Sequence, residues 1–301
     1  MFESKTSVAA LSVASNLTLT LLKLIVGIAI GSVSVVAEAI HSGVDLLAAV
    51  IAFFAVRSSA RPPDEKFAYG RGKVENLSGT IEAGLIFVAA GLIVFEAIDK
   101  LVYGIELPQV DLGLGVMLLS VVANFVVSRQ LFRVARKTDS VALEADGYHL
   151  TTDIVTSLGV LVGLVAVRLT GLSWLDPLAA LGVAALIIKA AWDITRRSAI
   201  GLMDTSLPEE ERQVIAEVLR RHSSRWVGFH QVRTRKAGPQ RYIDLHLVVD
   251  AEEPIQQAHA LCDDIERDLQ EALRPCSLSI HVEPCQHDCA RCRTQCEART
   301  A

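Results

Sequence analysis

Over most of this chain apolar residues do not alternate with polar ones but run together. Six such runs cover roughly residues 8–31, 33–57, 78–102, 110–133, 141–169 and 174–200, each near or above the ~20 residues a helix needs to cross a bilayer. Turn formers punctuate the series: Pro62 and Pro63, the stretch from Tyr103 to Pro108, and Gly171 with Pro177. Little more than Gly31 and Ser32 joins the first two runs, so they are expected to lie antiparallel.

Past Thr205 the pattern changes. LPEEERQVIAEVLRRHSS has a proline near its start, acids in its first turn and basic residues in its last, which suits the helix dipole. WVGFHQVRTRKAG and RYIDLHLVVD alternate about a Gly238-Pro239 turn and predict a β-hairpin. IQQAHALCDDIERDLQEAL predicts a helix, and CSLSIHVEP a further strand. The expected fold is an α-helical membrane protein with six transmembrane helices over 1–204, a C-terminal α+β domain of order αββαβ over 205–284, and a cysteine-rich tail over 285–301.

Composition agrees: of 301 residues 51% are hydrophobic and the mean hydropathy is +0.39, above what a globular core in a polar coat requires. A net charge of -5 and a pI of 5.9 offer no basic surface to a phosphate backbone, which excludes nucleic acid as an expected partner. Basic residues mark the loops that stay in the cytoplasm. Arg57, Arg61, Lys66, Arg71 and Lys73 follow the second run, Arg129, Arg133, Arg136 and Lys137 the fourth, and Arg196 and Arg197 the sixth, whereas 103–109 and 170–176 hold none. Both termini are therefore expected in the cytoplasm. The N-terminus, with Glu3 and Lys5 before a long apolar run, is read as a retained helix and not a secretory signal.

The chemistry lies inside two of the runs. AEAIHSGVD places His41 and Asp45 one turn apart on one helix face, and ADGYHLTTD repeats that spacing with His149 and Asp153. Each ionisable group so placed costs at least about 2.5–3.5 kcal/mol on insertion scales, so such groups turn inward and are paired or functional. Two imidazoles and two carboxylates form a set that zinc accepts in tetrahedral geometry, and the metal supplies the missing positive charge. At about 1.5 Å per residue, His41 lies roughly 12 Å from the outer end of its helix, so the two pairs can meet in mid-membrane. Interhelical hydrogen-bond glue is the competing use of such groups. Because the ligands must lose protons to bind metal, exchange of metal for protons follows. Other polar residues in the runs, Asn16, Asn124, Glu38, Glu82, Glu96 and Asp99, are assigned first to helix packing or to the ends of the helices.

These residues, with the loop PPDEKFAYGRGKVE and the junction GLMDTSLPEEE, give the chain a resemblance to the cation diffusion facilitator family of metal exporters over about residues 5–284. The resemblance implies a homodimer in the inner membrane, with a metallochaperone-like, ferredoxin-like cytoplasmic domain. It also implies zinc as the ion of a two-His, two-Asp membrane site, with cadmium and cobalt often accepted. Some members hold a second ion in the loop after the second helix by one Asp and two His; here Asp64 remains but Phe67 and Arg71 stand at the histidine positions, so that site is expected to be absent. Lys73 and Asp204 match a charge interlock at the dimer centre of relatives. His230, His246, His259, His281 and Glu283 match positions that bind regulatory metal. Independently of the resemblance, His281 and Glu283 share one face of a strand, with His230 and His246 on the adjoining hairpin.

All six cysteines, Cys262, Cys276, Cys285, Cys289, Cys292 and Cys296, fall after the apolar runs, where a cytoplasmic setting keeps thiols reduced. The last four, with His287 among them, are spaced C-x3-C-x2-C-x3-C, a set of soft donors open to zinc or to an inert reduced state. No Ser/His/Asp order, phosphate-cradling glycine loop or nucleotide motif supports catalysis, so the chain is not expected to be an enzyme. The expected activity is Zn2+/H+ antiport out of the cytoplasm by alternating access, with no cofactor required and zinc as substrate and regulator. Fe2+, Co2+ or Cd2+ as the main ion, and a membrane-anchored metal sensor without flux, are the competing readings.

Overall fold

In a computed structural model, which describes residues 4–30, 33–103, 113–172 and 174–285, the apolar runs are six helices. They are α1 (Lys5–Ile30), α2 (Val33–Ser59), α3 (Lys73–Tyr103), α4 (Gly113–Thr138), α5 (Val141–Thr170) and α6 (Leu175–Leu202). α3 begins five residues before its apolar run and α4 ends five after its own, counting 73 against 78 and 138 against 133. The added turns carry Lys73, Glu75, Arg136 and Lys137, which a helix accommodates at its ends but hydropathy leaves out. The chain forms two compact units, Met1–Ile200 and Gly201–Ala301.

In the first unit α1, α2, α3, α4 and α6 are long and apolar enough to cross a membrane; α5, of 30 residues, carries Glu144, Asp146, His149 and Asp153 in its first half. The packing inverts that of a water-soluble bundle. Small and polar residues are buried, among them Ala48, Ala52 and Ala55 of α2, Ala83 and Ala90 of α3, and Ser12 and Asn16 of α1. Ile28, Phe54, Phe95 and Trp192 face outward. Lipid tails are as apolar as leucine, so burying large side chains gains little, and helices instead approach through small residues and interhelical hydrogen bonds. α5 packs against α2, α3 and α4, which turns its polar face into the bundle.

The second unit runs α7 (Glu209–Arg221), β1 (Gly228–Ala237), β2 (Gln240–Val249), α8 (Ile255–Ala272) and β3 (Cys276–Pro284). The sheet order is β1-β2-β3, with β1 antiparallel and β3 parallel to β2. A parallel neighbour needs a crossover, and α8 supplies it. Ala258, Leu261, Ile265 and Leu269 form its buried stripe, packed with Leu219 of α7 and with Ile243, Leu245 and Leu247 of β2. Burial of each such leucine or isoleucine stabilises the unit by about 1.5–3 kcal/mol. Trp226 closes one end of this core and donates its indole N–H to the Leu219 carbonyl at 3.0 Å.

Candidate metal centre

α2 and α5 pack against each other, and their polar turns meet. Ligand atoms of His41, Asp45 and Asp153 all lie within 4.8 Å of one another. Donors on a tetrahedral zinc, at about 2.1 Å from the ion, stand about 3.4 Å apart, so a small side-chain adjustment brings these three onto one ion. His149 joins differently: its Nε2 lies 3.1 Å from Asp45 Oδ1. The buried Asp45 carboxylate thus faces the triad on one side and the buried imidazole on the other, while His149 Nδ1 has no hydrogen-bond partner.

A cavity of about 390 Å³ opens onto these groups, bounded by Lys23, His41, Ser42, Asp45, Asn124 and Asp153 among others. Its remaining wall mixes apolar residues such as Leu92, Ile93 and Val183 with the polar groups of Glu96, Lys100, Ser120 and Thr156. Lys23, late in α1, is buried and donates to Ser42 Oγ at 2.8 Å. Asn16 and Asn124, assigned from sequence to helix packing, are buried beside the same space.

Sequence reasoning passed over three of the buried charges. Glu75, fully buried, accepts hydrogen bonds from Lys5 Nζ at 3.0 Å and from the Ser59 and Ser140 hydroxyls, so it ties α1, α2 and α3 to the start of α5. Asp146, one turn before His149, and Lys23 were the others. Asp146 and Lys23 are charges inside apolar runs, the signal that drew attention to His41 and Asp45, whereas Glu75 lies just before the third run. Only the repeated His-x-x-x-Asp spacing set the four named residues apart.

In the loop after α2, Asp64 Oδ1 accepts the backbone N–H groups of Lys66 and Phe67, at 3.1 and 2.8 Å, and the other oxygen pairs with Arg71. The Phe67 N–H, followed by the Arg71 guanidinium, holds this carboxyl below the usual aspartate range. Arg71 also lies over the Phe67 ring, 4.2 Å from its centroid. The residues standing at the histidine positions therefore occupy the aspartate themselves. Lys73 opens α3; Asp204, beyond α6, has a left-handed backbone and pairs with Arg235 at 3.3 Å.

A second cluster forms on the sheet. His230 pairs in register with His246, and His246 with His281, so the three imidazoles cross β1, β2 and β3 in a row. Their rings are 5.2 and 4.8 Å apart. Glu283 lies 2.7 Å from His246 Nδ1, 3.4 Å from His230 Nε2 and 3.7 Å from His281 Nε2. Ligand atoms of His230, His246 and Glu283 converge within 4.8 Å. A bulge after His230, with Gln231 at φ 52°, shifts the hairpin register at this point. His259 is placed apart, exposed on α8 and 3.7 Å from Asp263. Cys262 and Cys276 are half-buried free thiols whose burial pushes their pKa up, and Cys285 follows β3. Cys289, Cys292 and Cys296 lie outside the described residues.

Residues 9–203 match the family model of the cation efflux transmembrane domain, and residues 207–285 that of the cation efflux protein cytoplasmic domain. An uncharacterized transporter of Synechocystis is 35% identical over 276 residues, covering 92% of this chain and 89% of the relative. The cation-efflux pump FieF of Salmonella choleraesuis is 30% identical over 290 residues, covering 94% and 93%. The solved zinc form of CzrB is 38% identical over 29% of this chain and 99% of its own, with a TM-score of 0.27.

Proposed function

The chain belongs to the cation diffusion facilitator family of cation efflux transporters, and from that premise we propose that it exports zinc from the cytoplasm in exchange for protons. It is a membrane protein and not an enzyme. The observation that carries the proposal is the convergence of His41, Asp45 and Asp153 in the lining of one cavity, with His149 held against Asp45. One imidazole and two carboxylates, with a second imidazole in reach, favour zinc over manganese, which prefers oxygen donors. For His149 to join the ion through Nε2, its bond to Asp45 must break. Whatever proton the pair shares must then leave, which links metal binding to proton release.

The protein sits in the inner membrane with both termini in the cytoplasm and works as a homodimer. In that orientation Lys23 late in α1, His41 early in α2, Glu96 and Lys100 late in α3, and Ser120 early in α4 all fall on the outer half of their helices. The cavity is then the outward-open state, and the network on Glu75 lies on the closed cytoplasmic side. The row His230, His246, His281 and Glu283 binds regulatory zinc, and His259 joins such a site only through rearrangement or a second copy of the chain. Lys73 and Asp204 act as an interlock at the dimer centre, and the cysteine tail is a soft-metal trap. Zinc is substrate and regulator; no resident cofactor is required.

The test is zinc flux in proteoliposomes under an imposed pH gradient and clamped voltage, with Asp45→Ala and Asp153→Ala for comparison. Wild-type flux that follows the gradient and is lost in both variants is expected. Zinc binding without any flux would make the protein a sensor, and flux indifferent to the gradient would remove the antiport.

A further inference from the structure

The cavity lining reaches Asp45 and Asp153 but includes neither Glu82 nor Asp146. Asp146 precedes His149 by three residues, about 4.5 Å along α5, in the direction opposite to Asp153, Thr156 and Ser157, which do line the cavity. Glu82 belongs to the stretch of α3 that packs on the same part of α5. A Cβ built on Gly79 would meet Val141 at 3.2 Å and Ala145 at 3.7 Å, and Ala83 and Ile86 cluster with Ala145 and Tyr148. Glu82, Asp146 and His149 lie within electrostatic reach of one another, and Ser12 of α1 faces Asp146.

Both acids are sealed off, Glu82 at 0% and Asp146 at 1% exposure. Ser78 donates to Glu82 Oε1 at 3.0 Å and the Ser12 hydroxyl lies against the Asp146 carboxyl, but no well-aligned hydrogen bond reaches Glu82 Oε2 or either oxygen of Asp146. An ionised carboxylate accepts several hydrogen bonds, and left buried without them it is costly unless it holds a proton or a cation. Packing alone is a poor reason to place two such groups in an apolar bundle, beside the residues that line a cation cavity.

We propose that Glu82 and Asp146 form a second cation site, a waypoint that takes a dehydrated divalent metal on its way between the cytoplasm and the His41–Asp45–Asp153 triad. The carboxylates of α3 and α5 supply the anionic ligands and the hydroxyls of Ser12 and Ser78 lie at its edge. Two carboxylates neutralise a dication, so the ion crosses the closed side of the bundle without exposing unbalanced charge. The waypoint has harder, oxygen-only donors than the triad. It therefore holds zinc more weakly and passes it on. This inference rests on the transport reading.

The test uses the full chain with its six cysteines replaced by serine, and Co2+ as the probe. Asp146→Cys in that background is expected to give a thiolate-to-cobalt charge-transfer band in the near ultraviolet. Adding Glu82→Gln should weaken cobalt binding at this band by at least about tenfold. Leu150→Cys, one turn further along α5 among apolar neighbours, should give none. Absence of the band while the visible cobalt absorption of the triad persists would overturn the waypoint, as would an equal band from Leu150→Cys. Loss of the triad absorption with the band retained would instead sink the transport-site reading and leave the waypoint standing. In the native chain, Glu82→Gln and Asp146→Asn are isosteric; each is expected to slow cobalt flux about tenfold while the triad's affinity changes less than about threefold. Unchanged flux would count against the waypoint.

Discussion

The contact between Asp45 and His149 makes the sharpest quantitative claim about the transport site. Both side chains are only 7% exposed and their atoms are 3.1 Å apart, so solvent screening takes little from the interaction. A buried hydrogen bond to a charged group contributes about 1.5–3 kcal/mol, or roughly 10- to 150-fold in an equilibrium constant. Asp45→Asn removes a charged ligand and the charge assistance of this bond, and His149→Gln removes the imidazole. Each alone should weaken zinc binding through the ligand it loses, and because the bond must break as His149 joins the ion, the value of the bond sets the size of the coupling between the two. Because the two residues meet, their effects should not add: a double-mutant cycle on zinc affinity, read by competition with a chelating dye, should give a coupling of about 1–3 kcal/mol. Thermal unfolding without metal should show a coupling of the same sign, since the hydrogen bond exists before the ion arrives. Additivity within about 0.5 kcal/mol in both measurements would refute the shared Asp45–His149 unit, and with it the linkage of metal to proton that depends on it.

Other outcomes are expected elsewhere. Glu283→Gln, in a chain whose triad is disabled by Asp45→Asn, should lower zinc affinity of the histidine row about 10- to 100-fold in calorimetry, because the carboxylate touches all three imidazoles. Ile265→Ala, fully buried between helix and sheet, should destabilise the second unit by about 2–5 kcal/mol in denaturant melts. Asp64→Asn should speed proteolysis of the loop after α2 at neutral pH and leave zinc flux within about twofold. Since the folded pKa of Asp64 is depressed, its contribution is present above the ordinary value of 3.8 and lost as pH falls through the lower folded value; wild-type loop cleavage should rise only in that acidic window.

Much of the architecture follows from period and punctuation. Five of the six long helices are legible as continuous apolar runs and α5 as a run interrupted by charge in its first half, and the second unit because its residues alternate or repeat by turns. Asp45 and Asp153 stand out because charge inside an apolar run is costly wherever the helix sits. Ala258, Leu261, Ile265 and Leu269 mark the buried stripe of α8 by spacing alone.

Tertiary structure decided what each charge faces. That His149 bonds Asp45 while His41 and Asp153 close the triad depends on the rotation of α2 against α5, which no local pattern encodes. The row of His230, His246 and His281 needed a parallel β3 and a bulge after His230, both products of strand pairing between distant segments. Glu82 and Asp146 read alike in sequence with Glu96 and Asp99, yet one pair is sealed inside the bundle and the other lies exposed near the end of α3. Hydropathy sums over neighbours along the chain, whereas the cost or use of a charge is set by neighbours across it.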